Sequence, residues 1–467
     1  LFEGRLDEAE LLGQIERTWL RYPRYRQRIR KRPLGRMEWV DDPTFDLRAH
    51  FRRVAVPAPY DLEALRQTVG ELMSFLLDRS KPLWSMHLIE GGPYGDALLI
   101  RVHHAIGDGM TLLKTTLDLF KDEPAQKKAE RSTFLERFFE PISDVIGVTQ
   151  SVSQWVKEQA EQGIPTADKL LLGAEQAVEL SLKLAPLIRD PDTILTGELS
   201  RRKVVSWTPP IPVKEFKRVA RAFEVTVNDL ALAVIAGALR RYFIAQEQEV
   251  PKILHASVPI YLGSMTAIRT GNNFGLVLVP LPLREGDARR RVALIHQRME
   301  RLKKSPEAAL VSGIFNSAGR LPPGLVARMF NEVSRKASLV VTSVPGPPYD
   351  LPLAGATVRH IVPLVPLSGR IGLGIAIASY NRKLSLGIQA DGARIKPDLR
   401  ALIELLRAEL ALLTSVAEQA TERESSQCAA LTLDGNRCRN HARKGHLACW
   451  VHRAVEEDLR ETSAAPE

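Results

Sequence analysis

Two adjacent histidines, His103 and His104, are separated by three residues from Asp108 in the stretch RVHHAIGDGM at residues 101–110. The apolar run Ala97–Ile100 predicts a strand that ends near these histidines, and a helical pattern follows them. A histidine at the end of a strand can accept a proton near neutral pH, because its ordinary pKa is about 6.5. The stretch therefore predicts a general base on a turn.

The rest of the stretch is expected to shape that turn. Gly107 and Gly109 allow a tight bend and the close approach of a substrate. Asp108 is expected to fix the turn through a buried partner, for which an arginine is the favoured candidate. A zinc site and a purely structural histidine pair are the alternatives, although adjacent histidine side chains diverge too much to share one ion easily. The sequence has no Gly-x-Ser-x-Gly elbow, Walker loop or dinucleotide fingerprint. A base without a protein nucleophile indicates direct transfer, in which a deprotonated hydroxyl attacks an activated acyl group.

A second group of reactive residues lies near the end of the chain, where all three cysteines occur. Three cysteines and a histidine can close a tetrahedral zinc site, which predicts a metal-binding module from Cys428, Cys438, Cys449 and His452. His441 and His446 compete for the fourth position. The alternative is a disordered tail with three free thiols and a basic run that binds an acidic partner.

The elements that position these residues alternate between helix and strand, which predicts an α/β fold in both halves of the 467-residue chain. We expect two lobes at 1–125 and 201–420, a helical linker at 126–200 and the zinc-type tail at 425–455. Apolar periodicity predicts helices at 7–21, 60–77, 212–222, 226–243, 288–303 and 397–413, with Asn228 and Asp229 as caps. Strands are predicted at 83–90, 97–102, 204–207, 254–259, 274–281, 338–344, 357–366, 372–380 and 384–390.

Composition narrows the choice of compartment and partner. No apolar run approaches 20 residues, no signal peptide precedes the first helix, and the start without Met suggests a truncated N-terminus. The absence of cysteine from residues 1–420 fits a reducing, cytoplasmic compartment. The net charge of +10 includes the arginine-rich segment 21–32, which suits nucleic acid, an anionic membrane or a phosphorylated substrate such as coenzyme A. Its aromatic residues are too few to stack bases, so no nucleic acid is expected.

The histidine stretch resembles the HHxxxDG motif of the coenzyme A-dependent acyltransferase superfamily, which includes chloramphenicol acetyltransferase, peptide-synthetase condensation domains and bacterial wax ester synthase/diacylglycerol acyltransferases. The neighbouring segments resemble the last of these families from residue 1 to about 420. They are Pro23–Arg26 (P-x-[FL]-R, with Tyr25 as a variant), 39–50 (W-x-x-D-x-x-F-D-x-x-x-H), 77–84 (LDRxxPLW), Asn228-Asp229 (ND), Gly271-Asn272 (GN) and 342–347 (SNVPGP, with Ser343 in place of asparagine).

This resemblance implies two chloramphenicol-acetyltransferase-like lobes with an active-site tunnel between them. It implies that His104 is the base, that Asn272 stabilises the oxyanion, and that His103, Gly107, Asp108 and Gly109 are structural. Asn273 is the neighbour that could be confused with Asn272. The implied reaction moves a long-chain acyl group from acyl-CoA to diacylglycerol or a fatty alcohol without a catalytic cofactor, in a bacterial enzyme peripherally bound to the inner membrane or lipid droplets. The rivals are a condensation-type acyltransferase with another alcohol or amine acceptor, and a non-catalytic protein that binds lipid or a partner.

Overall fold

The computed structural model describes residues 1–32, 37–120, 189–261, 274–303, 331–332, 334–395 and 399–425. In the N-terminal part, four helices alternate with short strands. The helices are α1 (Glu8–Thr18), α2 (Leu47–His50), α3 (Leu62–Ser74) and α4 (Gly109–Asp118). The strands are β1 (Phe2–Glu3), β2 (Gln27–Lys31), β3 (Met37–Asp41), β4 (Phe51–Ala55), β5 (Trp84–Gly92) and β6 (Gly95–Val102).

A three-stranded sheet in the order β4-β5-β6 carries the histidine stretch. The chain forms it because residues on β5 alternate, so that Trp84, Met86 and Leu88 enter one buried cluster with α1, while Ile89 packs under α3. β6 pairs antiparallel with β5 and places Val102 opposite Trp84. The predicted strands at 83–90 and 97–102 are therefore confirmed, and the histidines follow the last residue of β6.

The C-terminal part is built on a larger sheet. Its strands are β7 (Lys203–Trp207), β8 (Ile211–Pro212), β9 (Leu254–Tyr261), β10 (Phe274–Leu281), β11 (Leu339–Val344), β14 (Leu373–Tyr380) and β15 (Lys383–Asp391). The order is β10-β9-β11-β14-β15-β7, and β8 pairs with β15. β11 is parallel to both neighbours, and the other pairs are antiparallel. Two short strands, β12 (Pro352–Leu353) and β13 (Ala356–Val358), join β1 in a separate sheet.

Helices α5 (Val213–Ala222), α6 (Val227–Ala245), α7 (Ala288–Lys303) and α8 (Leu399–Ser425) pack in the C-terminal part. α6 is apolar on most sides because it lies inside the largest core cluster, where Leu230, Ile235 and Leu239 are fully buried. Thr226, not Asn228, is its N-cap, and Asp229 completes a capping box with it. The sequence prediction was therefore correct for Asp229 as part of the cap and wrong for Asn228.

The contacts that join the N-terminal and C-terminal parts include a strand pair and a helix packed on a strand. β1 pairs antiparallel with β13, with Phe2 opposite Val358. α3 packs on β7, where the Lys203 N–H donates to Ser74 Oγ at 2.8 Å. A Cβ on Gly70 would lie 3.0 Å from the Lys203 carbonyl oxygen, so the helix approaches the strand closely.

The strand predicted at 357–366 is mostly wrong, because β13 ends at Val358 and the chain after it is irregular. Pro363 and Pro366 lack the N–H groups that a ladder needs. This segment instead crosses the sheet over Gly387, where a Cβ would lie 1.8 Å from the Pro363 carbonyl oxygen. Its apolar pattern therefore reflects packing on the sheet face.

A bilayer-crossing helix was not expected from the sequence. Within the described ranges, no single helix is long and apolar enough to span a membrane. α5 and α6 together meet the criteria of length and composition, but the pair is bent by 89°.

Candidate active site

The histidine turn leaves the end of β6 in a fixed conformation. The His103 N–H donates to the Leu83 carbonyl at 3.0 Å, which continues the β5–β6 ladder by one residue. The Ile106 N–H then donates to the His103 carbonyl at 2.9 Å and closes the turn. The turn ends where α4 begins, so the two histidines lie on a short turn between β6 and α4.

Asp108 is the N-cap of α4. Its Oδ1 accepts the Thr111 N–H at 2.8 Å, and its carbonyl accepts the Leu112 N–H at the same distance. The residue is almost fully buried. A capping carboxylate satisfies a helix N–H and interacts favourably with the positive end of the helix dipole. Asp108 therefore anchors the start of α4 and with it the end of the turn.

Gly107 and Gly109 occupy different surroundings. A Cβ on Gly107 would lie 2.6 Å from Thr111 Cγ2, closer than real Cβ atoms approach. A Cβ on Gly109 would meet nothing within 4 Å. The turn therefore has no room for a side chain at Gly107, whereas Gly109 faces open space.

The two histidines make different contacts. His103 Nδ1 accepts the Ala105 N–H at 3.0 Å, so the neutral ring carries its proton on Nε2. Burial lowers the pKa of His103, and the nearby charges of His104 and Arg79 lower it further. One nitrogen of His103 is therefore already committed to holding the turn.

His104 keeps an exposed surface, yet partial desolvation of its imidazole lowers its pKa. The Asp108 charge and a hydrogen bond with the Gly107 backbone oppose this shift. Desolvation therefore favours the uncharged, basic form of His104.

The far end of α4 is held by aromatic residues from the segment after α1. Trp19 Nε1 donates to the Thr115 carbonyl at 2.7 Å, and the Tyr25 hydroxyl lies 2.7 Å from Thr115 Oγ1. The Tyr22 hydroxyl donates to Asp118 Oδ2. Trp19 and Tyr25 are fully buried and their ring centroids lie 4.5 Å apart. These contacts fix the last two turns of α4.

The other N-terminal motif segments meet the same aromatic cluster. Trp84 Nε1 donates to the Tyr25 carbonyl at 2.9 Å, and His50 Nδ1 lies 2.9 Å from the Trp84 carbonyl oxygen. The rings of His50 and Trp84 are stacked with centroids 4.6 Å apart. Tyr25, His50 and Trp84, from three motif segments, therefore belong to the one aromatic cluster that contacts α4. Sequence reasoning missed Thr115 and Asp118, since no motif marks them; only their place one helical turn apart on α4 could have suggested a shared role.

Strand β11 lies beside α4, so the C-terminal part reaches the histidine turn. It ends in the segment Thr342–Pro347, where the Ser343 residue is exposed. The following turn is tight: the Gly346 N–H donates to Ser379 Oγ at 3.2 Å, and a Cβ there would lie 2.1 Å from the Ser379 carbonyl oxygen. The segment that follows β11 is therefore held against the end of β14.

The remaining predicted site residues lie outside the described residues. These are Asn272, its neighbour Asn273, and the tail residues Cys428, Cys438, Cys449 and His452 with the competing His441 and His446. In the part of the chain that the structure describes, no three His, Cys, Asp or Glu side chains are grouped as metal ligands.

The family models match most of this chain. The wax ester synthase/diacylglycerol acyltransferase catalytic domain matches residues 3–231, and the C-terminal domain of the same family matches residues 270–414. The probable diacylglycerol O-acyltransferase tgs1 of Mycobacterium tuberculosis CDC 1551 is 29% identical over 404 residues, which are 82% of this chain and 83% of that protein. The O-acyltransferase WSD of Acinetobacter baylyi is 28% identical over 397 residues, covering 82% and 84% of the two chains.

Solved structures show the same type of fold. The wax ester synthase/diacylglycerol acyltransferase from Marinobacter aquaeolei VT8 has a TM-score of 0.60 and 24% identity, covering 84% of this chain and 86% of that chain. The first condensation domain of the calcium-dependent antibiotic synthetase has a TM-score of 0.52 and 15% identity, with 89% of each chain covered. The mixed α/β fold predicted from the sequence is therefore confirmed.

Proposed function

The chain carries the catalytic and C-terminal domains of the wax ester synthase/diacylglycerol acyltransferase family, and from this premise we propose that it is an acyltransferase. It moves a long-chain acyl group from acyl-CoA to diacylglycerol, a fatty alcohol or both, and the products are triacylglycerol and wax ester. The family matches and the names of the relatives support acyl transfer. The observation that carries the proposal is the position of His104 on a turn that is fixed at both ends, by the end of β6 and by the Asp108 cap of α4.

His104 acts as the general base in this mechanism. An imidazole nitrogen of His104 takes the proton of the acceptor hydroxyl, and the oxygen attacks the thioester carbonyl in the same step. The tetrahedral intermediate collapses, the carbon–sulfur bond breaks, and the imidazolium returns the proton to the coenzyme A thiolate. Asp108 supports this cycle because its negative charge stabilises the imidazolium while it caps α4.

The oxyanion of the intermediate needs a preorganised donor, and we assign Asn272 to this role from its place in the GN segment. One such donor is worth roughly 3 kcal/mol in the transition state. The tunnel for the acyl chain lies between the lobes at 1–125 and 201–420, with 126–200 as the linker. We place the enzyme in the cytoplasm. Because diacylglycerol and fatty alcohols reside in lipid phases, it works there at the inner membrane or at lipid droplets.

The first experiment measures coenzyme A released from palmitoyl-CoA with hexadecanol or dipalmitoylglycerol as acceptor. The matched pair of variants is His104→Asn and His103→Asn. An asparagine amide oxygen can still accept the Ala105 N–H in place of His103 Nδ1, but it cannot act as a base at position 104. We expect acceptor-dependent release to fall by about 100-fold or more for His104→Asn and only a few-fold for His103→Asn.

Three outcomes would contradict parts of the proposal. Release that survives His104→Asn removes His104 from the mechanism. No release with either acceptor, but release with amine or other alcohol acceptors, favours the condensation-type alternative. Retained binding of acyl-CoA or lipid without any transfer favours the non-catalytic alternative.

We infer from residue types and spacing that the tail at 425–455 binds zinc through Cys428, Cys438, Cys449 and His452. Thiolate and imidazole ligands suit zinc, and the Cys-x2-His end suits a single ion. The metal content of the purified full chain tests this assignment, with Cys449→Ser as the variant that should lose the metal. His441→Ala and His446→Ala are the controls and should keep the metal. If one of them loses zinc while His452→Ala retains it, that histidine is the fourth ligand in place of His452.

A further inference from the structure

The segment that joins α3 to β5 exposes two large apolar side chains beside the histidine turn. Phe75 is 67% and Leu76 is 80% exposed. Among the six large hydrophobic residues that the described part of the chain leaves exposed, these are the only two that are adjacent in sequence. Exposed neighbours of this kind are more typical of an interaction surface than of a fold that buries its apolar residues.

Four cations lie near this pair, either on the adjoining sheet or in the segment that follows it. Arg101, two residues before His103, donates to the Phe75 carbonyl. Arg52 and Arg101 both lower the pKa of the intervening His87, so their charges lie close together on the sheet. Arg79 and Lys81 follow Leu76 in sequence, and the charge of Arg79 reaches His103. The apolar pair and the cations therefore lie at the edge of the sheet from which the catalytic turn leaves.

These cations lack the close ion pairs that other cations nearby make. None of Arg52, Arg79, Lys81 and Arg101 pairs with a carboxylate of the described residues. By contrast, Arg53 pairs with Glu8 and Glu90. The arginine-rich segment is also partly neutralised, because Arg30 and Arg32 share Glu38. Asp78, which lies within the joining segment, is bound by the N–H and hydroxyl of Ser80.

We propose that Phe75, Leu76 and the four cations form a docking surface for an anionic lipid layer, which places the histidine turn at the layer where the lipid acceptor resides. Apolar side chains enter the interface and cations bind anionic headgroups, the two terms that hold a peripheral protein on a membrane. The inference rests on the proposed function for its biological purpose, but the binding itself does not depend on catalysis.

The test is co-sedimentation of the full chain with phosphatidylcholine vesicles, with and without phosphatidylglycerol. We expect tighter binding to the phosphatidylglycerol vesicles. Phe75→Ser/Leu76→Ser should weaken binding about tenfold or more. Arg79→Gln/Lys81→Gln should weaken it about fivefold per cation, and only on the anionic vesicles. Ile244→Ser, which removes a 53% exposed apolar side chain from α6, is the matched control and should bind like the wild type.

Several results would overturn the docking surface. They are a wild-type chain that does not bind vesicles, binding that is equal on both vesicle types, and variants that bind like the wild type. If Phe75→Ser/Leu76→Ser raises the KM for acyl-CoA in detergent micelles while vesicle binding is unchanged, the pair lines the substrate path instead. Failure of the proposed function is distinct, since it abolishes coenzyme A release in micelles for the wild type and leaves vesicle binding measurable.

Discussion

The Tyr25 hydroxyl lies 2.7 Å from Thr115 Oγ1, which joins the segment after α1 to the middle of the helix that follows the catalytic turn. Thr115 Oγ1 also donates to the Leu112 carbonyl at 3.1 Å, so its oxygen is left to accept the Tyr25 proton. Both residues are buried, and burial raises the pKa of Tyr25 to about 12. The family segment has Phe or Leu where this chain has Tyr25, and this contact gives the extra hydroxyl a partner.

The direction of this hydrogen bond predicts unequal effects of removing its two partners. Tyr25→Phe leaves Thr115 with its Leu112 bond and should lower the free energy of unfolding by only about 1 kcal/mol. Thr115→Val leaves the buried Tyr25 hydroxyl without this hydrogen-bond partner and should lower the free energy of unfolding by roughly 1–3 kcal/mol. Chemical denaturation measures both values, and Tyr25→Phe/Thr115→Val should cost less than the sum. If the two single variants lose equal stability and the double variant loses the sum of the two, the Tyr25–Thr115 contact contributes nothing to stability.

The two glycines of the turn should also respond differently to the same added methyl group. Gly107→Ala places a Cβ against the buried Thr111 side chain, so we expect overpacking that costs about 1–3 kcal/mol of stability. Gly109→Ala meets open space and should leave the unfolding midpoint unchanged or slightly raised. Thermal unfolding of the two variants checks this difference. A larger loss for Gly109→Ala would contradict the geometry of the turn.

The sequence was most informative where local and tertiary preferences agree. β10 and α7 occupy the predicted residues, because an apolar strand and an amphipathic helix each satisfy their own periodicity within the core. The hairpin of β2 and β3 was not predicted, since its arginines and exposed side chains hide the alternation. The segment after β13 was predicted as a strand because its apolar residues pack on a sheet face without joining the ladder.

In the candidate site, too, the sequence predicts the features that depend on local geometry and misses those that depend on distant residues. The position of Asp108 before a helical pattern predicts its place at the end of the turn, because a cap needs only local geometry. The contacts of Thr115 and Asp118 depend on residues 90 or more positions away, which no local pattern encodes. The exposed Phe75 and Leu76 could not be predicted either, since their apolar character continues the pattern of α3.

The pH dependence of acyl transfer should report on His104 and Asp108. The base must be uncharged, and burial lowers its pKa, so the acid limb of kcat/KM should lie below pH 6.5. Asp108→Asn keeps an oxygen that can cap α4 but removes the charge that raises the His104 pKa. The limb should therefore move to still lower pH, as measured by pH profiles of coenzyme A release.

Asp108→Ala is the companion variant, because it removes the charge and the cap together. It should show the same displacement of the limb and lose about 1 kcal/mol of stability in addition. A limb that stays in place in Asp108→Asn would exclude either His104 as the titrating base or Asp108 as its electrostatic partner. Rate loss without displacement would assign Asp108 a purely structural role.

His87 on β5 should make the fold sensitive to acid. Burial lowers its pKa from 6.5 to about 4, with a further contribution from the charges of Arg101 and Arg52, and its Nδ1 has no hydrogen-bond partner among the described residues. Because the unfolded chain binds the proton more tightly, the stabilising effect of the neutral ring is complete above pH 6.5 and is lost as the pH falls to 4. A shift of this size corresponds to about 3 kcal/mol. His87→Leu should therefore flatten the stability curve between these pH values. Parallel curves for wild type and His87→Leu would show that His87 is solvated enough to titrate normally in the folded chain.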